Sequence, residues 1–439
     1  MKIITGAENA RPMLVRSPSI EDSQLPPQVN QKIKEIFARE LTPEQVVAEI
    51  LHRVRSSGDA AVLDYAQRID GVRLSRLEVA KEEIVQAYTG VSEELISALN
   101  LAAQRIRSFH LVHKHQSWID FSEGAIGQLV RPLARVGIYV PGGTACYPAT
   151  VLMSVIPAKV AQVTEVILTT PPKKGGVVSP ATLVAADICG VDRIFKVGGA
   201  QAIAALAFGT ESIPKVDKIC GPGNIFVQLA KKMVYGIVGI DGLYGPTETV
   251  IVADETADPV CCAADLLAQA EHDPLASAIL ITTSPKLALG VSQEVRCQLA
   301  DLERKEIAQA ALENKGSIII VADIDEALEL VNLYAPEHLS LMVADPWSHI
   351  GKIKNAGGIF IARSSPEVLG DYIVGPSHVM PTGGSARFSS PLGVDDFLKV
   401  TSVVAVDSAS LRALGPAAKV LAQAEGLGGH ARAIELRGI

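Results

Sequence analysis

The chain has 439 residues, 48% of them hydrophobic but only 4% aromatic, and a formal net charge of −8 from 40 basic and 48 acidic side chains. That length exceeds what one core usually organises, so two or more compact units with aliphatic interiors are expected. The absence of a basic block argues against nucleic-acid binding, and no stretch approaches the ~20 apolar residues of a membrane span. Residues 1–30, punctuated by Pro12, Pro18, Pro26 and Pro27, read as an irregular arm, and residues 1–16 lack the features of a signal peptide. A helical pattern starts after Leu41, with Thr42 as N-cap, Pro43 in the first turn and Gln45 closing a capping box. Gly58 is expected to end that helix and Asp59 to cap the next; a third helix runs from about Ser92 through Phe109. The middle of the chain alternates short apolar runs with helical stretches. The runs Val136–Val140, Val166–Thr170, Arg193–Val197 and Lys218–Cys220 each lead into a glycine or proline turn, including Gly142-Gly143, Gly198-Gly199 and Gly221-Pro222-Gly223. This is βαβ rhythm, which implies a covered parallel sheet with its turns at the carboxyl ends, where such sheets bind ligands.

A second alternating unit follows Pro246, with strands at Thr249–Ala253, Ala278–Thr282, Ser317–Val321, Leu339–Val343 and Gly358–Ala362, and helices at Pro259–Ala270 and Ile324–Leu333. The last stretch, from about Val394, has a strand at Ser402–Val406 and a helical end, and is too small to fold alone. Cys146, Cys189, Cys220, Cys261, Cys262 and Cys297 contain no C-x-x-C pair and are expected as buried free thiols in a reducing cytoplasm, with Cys261 and Cys262 on different faces of a helix.

Polar residues beside glycines, prolines and helix ends carry the chemistry. Gln269 and His272, three apart at the end of the helix capped by Asp258, can converge on one ion, although an exposed helix end has the same look. Asp371 is placed in a loop after Gly370, His378 after Gly375-Pro376-Ser377, and His430 after Gly428-Gly429 in what could be a flexible tail with Glu425. Glu337 and His338 present two titratable groups to one cleft: a base near neutral pH and a carboxylate able to activate water. His110, His113 and His115 read instead as a solvated helix face. There is no G-x-G-x-x-G after the first middle strand and no P-loop.

Taken together, these segments closely resemble histidinol dehydrogenase, from about Arg131 to the C-terminus. The blocks that carry the resemblance are Arg135 through Gly143, Gly198-Gly199-Ala200-Gln201-Ala202, Gly221-Pro222-Gly223-Asn224, Gln269-Ala270-Glu271-His272, Tyr334-Ala335-Pro336-Glu337-His338, and His378 through Phe397. The resemblance implies an enzyme that uses one Zn²⁺ per subunit and NAD to oxidise L-histidinol to L-histidine through L-histidinaldehyde, the last steps of histidine biosynthesis. It implies Gln269, His272, Asp371 and His430 as metal ligands, with the substrate completing the coordination. His338 would be the base and Glu337 the activator of water; Thr247, His378 and Glu425 would join the metal ligands and His338 in holding substrate; Tyr139, Gln201 and Asn224 would contact NAD.

The implied fold is α/β: two incomplete Rossmann-like parallel-sheet domains, a small N-terminal arm and a small C-terminal segment, in a domain-swapped homodimer. The expected division is an arm over 1–29, a first domain over 30–138 and 247–392 with the metal and catalytic residues, an NAD-side domain over 139–246, and a segment over 393–439 whose Glu425 and His430 serve the neighbouring subunit. A cytoplasmic enzyme without nucleic-acid or membrane partners is expected. Two departures stand out. Tyr244-Gly245-Pro246-Thr247-Glu248 replaces the family's Ala-Gly-Pro-Ser-Glu, placing a phenol where it is expected to reshape the substrate pocket, and Cys146 replaces an alanine. The alternative is a related zinc- and NAD-dependent dehydrogenase of another polar alcohol, such as a sulfonated diol. A metal-dependent binding protein without turnover has no need of the Glu337–His338 pair.

Overall fold

The computed structural model describes residues 1–16, 27–112, 115–122, 124–142 and 146–438; Pro18, Pro26, His113 and Gly143 lie outside them. Two compact units are present, one of Met1–Val112 with Ala134–Phe397, the other of His113–Leu133 with Leu398–Ile439. In chain order the strands are β1 (Lys2–Thr5), β2 (Trp118–Asp120), β3 (Ala125–Pro132), β4 (Arg135–Tyr139), β5 (Glu165–Thr170), β6 (Arg193–Lys196), β7 (Lys218–Cys220), β8 (Gly239–Ile240), β9 (Glu248–Ala253), β10 (Ser277–Thr282), β11 (Ser317–Ile320), β12 (His338–Met342), β13 (Gly358–Ile361) and β14 (Leu398–Ala405).

The larger unit holds two wholly parallel sheets, ordered β6-β5-β4-β7-β8 and β1-β11-β10-β9-β12-β13. Apart from β1, both sheets grow outward from their first strand in one direction and then reverse, between β4 and β7 and between β9 and β12. Parallel neighbours need long crossovers. The helices Pro148–Val160, Pro180–Cys189 and Gly199–Phe208 supply them in the first sheet, and Pro259–Ala270, Pro285–Leu299, Lys305–Asn314 and Ile324–Tyr334 in the second. Every residue of β9 and β10 is buried, which is why these strands read as continuous apolar runs rather than alternations. The helix Gly199–Phe208 is buried from Ala200 to Ala207, packed with the helix Pro43–Ile69 in one aliphatic core; its alanines allow that close approach.

Four local expectations change. The N-terminal residues are regular: β1 pairs in parallel with β11, and the helix Ala7–Leu14 buries Ala7, Ala10 and Leu14. β1 is a largely exposed edge strand, so it carries little hydrophobic signature. The helix Pro43–Ile69 has the Thr42–Gln45 capping box and breaks at Gly58, whose φ is 51°. Asp59, however, gives its carboxylate to Ser212, while the Asp59 N–H is met by Glu211 at 2.7 Å. His110 is buried at 4% exposure, not on a solvated face, because it lies on the inward side of the helix Glu93–Val112. The cysteines are free thiols; Cys262 packs against Met342 while Cys261 turns toward Asp258, on a different face of their helix. Cys297 is exposed rather than buried, on the solvent side of the helix Pro285–Leu299.

The smaller unit is an antiparallel sheet, β14-β3-β2, with eight residues of β14 paired to β3 from Leu398 opposite Pro132 to Ala405 opposite Ala125. Its helices are Ser408–Ala424 and Gly428–Glu435, so Gly428 and Gly429 form a first helical turn rather than a flexible tail. Val404, Val420, Leu421 and Leu436 are exposed on it. Among the described residues no helix is long and apolar enough to cross a membrane.

Candidate active site

The candidate groups of the second sheet gather at the amino ends of β9 and β12, the neighbouring strands where its order reverses, with His338 opposite Thr249. The helix Ile324–Tyr334 ends on Ala335 in the left-handed conformation (φ 53°), which turns the chain straight into β12 and drives Glu337 and His338 inward, to 7% and 3% exposure. Glu337 Oε2 accepts a hydrogen bond from the Thr247 hydroxyl and another, at 3.0 Å, from the Glu248 N–H. Burial pushes the Glu337 carboxyl up to about 7, with His338 and the Thr247 bond pulling the other way. His338 Nδ1 faces the Glu248 carbonyl at 3.3 Å. Its Nε2 lies 3.4 Å from Asp371 Oδ1, within reach of charge attraction but without a directed hydrogen bond, so this buried nitrogen has no hydrogen-bond partner. Burial alone would lower the His338 pKa; Glu337 and Asp371 outweigh it and raise it above the ordinary value.

A cleft beside this pair is lined by Asp265, Gln269, His272, Glu367, Asp371 and Tyr372, among others. Gln269, buried in the last turn of the helix Pro259–Ala270, donates from Nε2 to the Thr247 hydroxyl at 2.5 Å. His272 stands just beyond that helix, open to solvent, yet crowded enough that partial desolvation lowers its pKa against the pull of Asp371. Asp371 belongs to the short helix Glu367–Tyr372, not to the loop expected for it, because Pro366 starts a helical turn that Gly370 does not break. His378 is gripped at both nitrogens: Nδ1 is 2.6 Å from the Asp371 carbonyl and Nε2 is 3.0 Å from the Thr150 hydroxyl. Glu367 was not singled out from sequence. It is buried, accepts from the Thr249 hydroxyl, and burial raises it to about 8. Its position four residues before Asp371 puts both on one helix face, a signal visible only once that segment is taken as helical.

Gln269, His272 and Asp371 thus bring an amide oxygen, an imidazole and a carboxylate to one cleft, donor types suited to a divalent cation such as zinc. Asp371 Oδ1 faces only the undirected approach of His338 Nε2 at 3.4 Å. Among the described residues no three His, Cys, Asp or Glu side chains gather as a complete metal-holding group, so the fit needs the glutamine and a further ligand. Glu425 and His430 lie on the smaller unit, both exposed, at the end of the helix Ser408–Ala424 and in the helix Gly428–Glu435.

The remaining candidates line the carboxyl ends of the first sheet, around the reversal between β4 and β7, where open α/β sheets bind ligands. The Tyr139 hydroxyl accepts from the Gly199 N–H at 3.2 Å. Gln201 is fully buried, with Nε2 3.4 Å from Asp70 Oδ2 and Oε1 lacking a hydrogen-bond partner. Asn224 uses its side-chain oxygen to cap the helix Ile225–Val234 through the N–H groups of Phe226 and Val227. Gly221, at φ 115°, passes so close to Tyr139 that a Cβ would sit 2.0 Å from the Tyr139 carbonyl oxygen. Gly221 is thus required by the close passage of the β4 and β7 ends, and the orphaned Gln201 amide oxygen is the one feature here that fits a dinucleotide.

Tyr244 is not among the residues that line the cleft of Gln269, His272 and Asp371. It is 7% exposed, with its ring against Gly242 and 5.0 Å from Lys231 Nζ. Lys231 is itself buried and bonds Asp241 and the Gly221 carbonyl, so the phenol fills space beneath the β7 turn. Cys146 likewise packs, its sulfur 2.9 Å from the Ser179 hydroxyl.

Comparison with known proteins agrees with this architecture. The histidinol dehydrogenase family model matches residues 37–438. Histidinol dehydrogenase of Deinococcus radiodurans is 50% identical over 440 residues, covering 100% of both chains, and that of Moorella thermoacetica is 53% identical over 395 residues, 89% of this chain and 93% of the relative. The crystal structure of histidinol dehydrogenase from Elizabethkingia anophelis superposes with a TM-score of 0.91 at 35% identity, covering 100% of this chain and 98% of that one. With its parallel sheets, its sequence and its fold in agreement over the full length, the chain belongs to the histidinol dehydrogenase family, oxidoreductases of histidine biosynthesis.

Proposed function

We propose that this protein oxidises L-histidinol to L-histidine through the aldehyde in two NAD-dependent hydride transfers, with one zinc ion per subunit. The observation that carries the reading is the buried Glu337–His338 pair beside the Gln269, His272 and Asp371 cleft. When bound, zinc supplies a positive template that orients substrate nitrogens, and NAD supplies the hydride acceptor. Gln269, His272 and Asp371 hold the metal, with His430 as the fourth protein ligand. His338, in its neutral form, takes the alcohol proton. Glu337 then draws a proton from the water that adds to the aldehyde, and His338 again accepts one. Thr247 holds Glu337 and Gln269 in register through its single hydroxyl. His378 and Glu425 steady the substrate, and Tyr139, Gln201 and Asn224 contact NAD.

The same reading takes the two sheets as incomplete Rossmann-like domains, over 30–138 with 247–392 and over 139–246, preceded by the arm 1–29. The segment 393–439 is exchanged in a homodimer, so that Glu425 and His430 act in the neighbouring site. The exposed apolar side chains of the smaller unit support that exchange. The enzyme works in the cytoplasm. The test is NADH formation by zinc-loaded protein: two NADH per L-histidinol, lost on chelation. Turnover of a sulfonated diol or another polar alcohol with none of histidinol would replace the substrate and keep the family.

A further inference from the structure

Residue 248 touches both members of the candidate catalytic pair. Its N–H donates to Glu337 Oε2 at 3.0 Å, and its carbonyl faces His338 Nδ1 at 3.3 Å. The position of this one backbone residue therefore sets where the Glu337 carboxylate sits and how the His338 ring is turned. What holds residue 248 is its side chain, which is 5% exposed. Both carboxylate oxygens of Glu248 are taken by the guanidinium of Arg16, Nη1 to Oε1 and Nη2 to Oε2, the latter at 2.6 Å. Arg16 is fixed in turn: its Nε donates to the Tyr334 carbonyl at 2.8 Å and its guanidinium lies over the Tyr334 ring, 3.8 Å from the centroid. The Gly383 N–H adds a bond to Glu248 Oε1 at 3.2 Å. Tyr334 ends the helix from which the chain runs, through Ala335 and Pro336, into Glu337 and His338.

We propose that Arg16 is a positioning residue for the reaction: through Glu248 on one side and Tyr334 on the other it fixes the two segments that aim Glu337 and His338. A planar fork that fills both oxygens of a carboxylate while stacking on a ring imposes one geometry, which a lysine cannot reproduce. The proposal rests on Glu337 and His338 being the proton-handling pair.

The test uses the full-length, zinc-loaded enzyme with Arg16→Gln and Arg16→Lys, measuring kcat, the KM values for histidinol and NAD, zinc content and melting temperature. A misplacement of the order of 1 Å at a reacting group slows turnover by up to about 100-fold. Arg16→Gln is therefore expected to lower kcat by roughly 10- to 100-fold, with both KM values within about threefold of wild type and zinc content unchanged. Arg16→Lys should lower kcat in the same direction with an unchanged melting temperature, and it decides the matter if Arg16→Gln does not fold. Wild-type kcat in a folded variant overturns the proposal, as does a rise in the histidinol KM at constant kcat. His338→Ala, run alongside, separates the two levels: if it retains turnover, the reading of the pair fails; if it is inactive while the Arg16 variants are normal, only the positioning role fails.

Discussion

Replacing Thr247 by valine keeps its shape and removes one hydroxyl, which donates to Glu337 Oε2 and accepts from Gln269 Nε2. Glu337 then keeps the Glu248 N–H as a donor but loses the other. A hydrogen bond to a charged group contributes roughly 1.5–3 kcal/mol, and 1.36 kcal/mol corresponds to one pKa unit, so the carboxyl should rise by about 1–2 units. Starting from about 7, it would be mostly protonated at neutral pH, and its ionised fraction there would fall roughly 5- to 50-fold. Water activation needs the carboxylate, so oxidation supplied with the aldehyde should slow by that factor at pH 7 and recover as pH rises. Oxidation of the alcohol, which uses His338, should change less. Thr247→Ser keeps the hydroxyl and should keep the wild-type profile. The assay is NADH formation from each substrate across pH. A Thr247→Val profile for the aldehyde that coincides with wild type would refute the assignment of Glu337.

Other expectations concern the metal, the dinucleotide side and the buried charges. His338→Ala should slow hydride formation by at least about 100-fold with zinc retained, while His272→Ala should lose zinc, as measured by metal content beside single-turnover rates. Burial raises Asp70 to about 6. Its folded pKa thus exceeds its unfolded one, so its contribution to stability is fully present below about 3.8 and is lost as pH rises through about 6. Asp70→Asn should accordingly raise stability by about 1–3 kcal/mol at pH 8 and leave it unchanged near pH 3, as read from denaturant midpoints; partial exposure of the group discounts the upper figure. Lys231→Met strands the buried Asp241 carboxylate and should cost about 3–5 kcal/mol, much of it regained in a double variant with Asp241→Leu.

Much of the architecture was legible because its causes are local. Strands covered on both faces need continuous apolar runs, so β4 to β7 and β9 to β12 stand out within a residue or two at each end. Caps are equally local: Thr42 with Gln45, and Asp258 before Pro259, announce their helices through short-range hydrogen bonds. The residues of the family's motifs could be carried over one by one for the same reason. β1 was not legible, since an exposed edge strand has little burial to mark it, nor was the helix around Asp371, six residues long and containing a glycine.

The alternation of covered strands and helices, and the polar residues that stand at their ends, can be read from the chain alone. The burial of residues 337 and 338, the packing of Tyr244 on Lys231 and the reach of Arg16 to Glu248 across 232 positions of chain come from the folded arrangement. The reason is physical. Periodicity and caps act over a few residues, whereas desolvation and ion pairing depend on which distant segments a parallel sheet brings side by side.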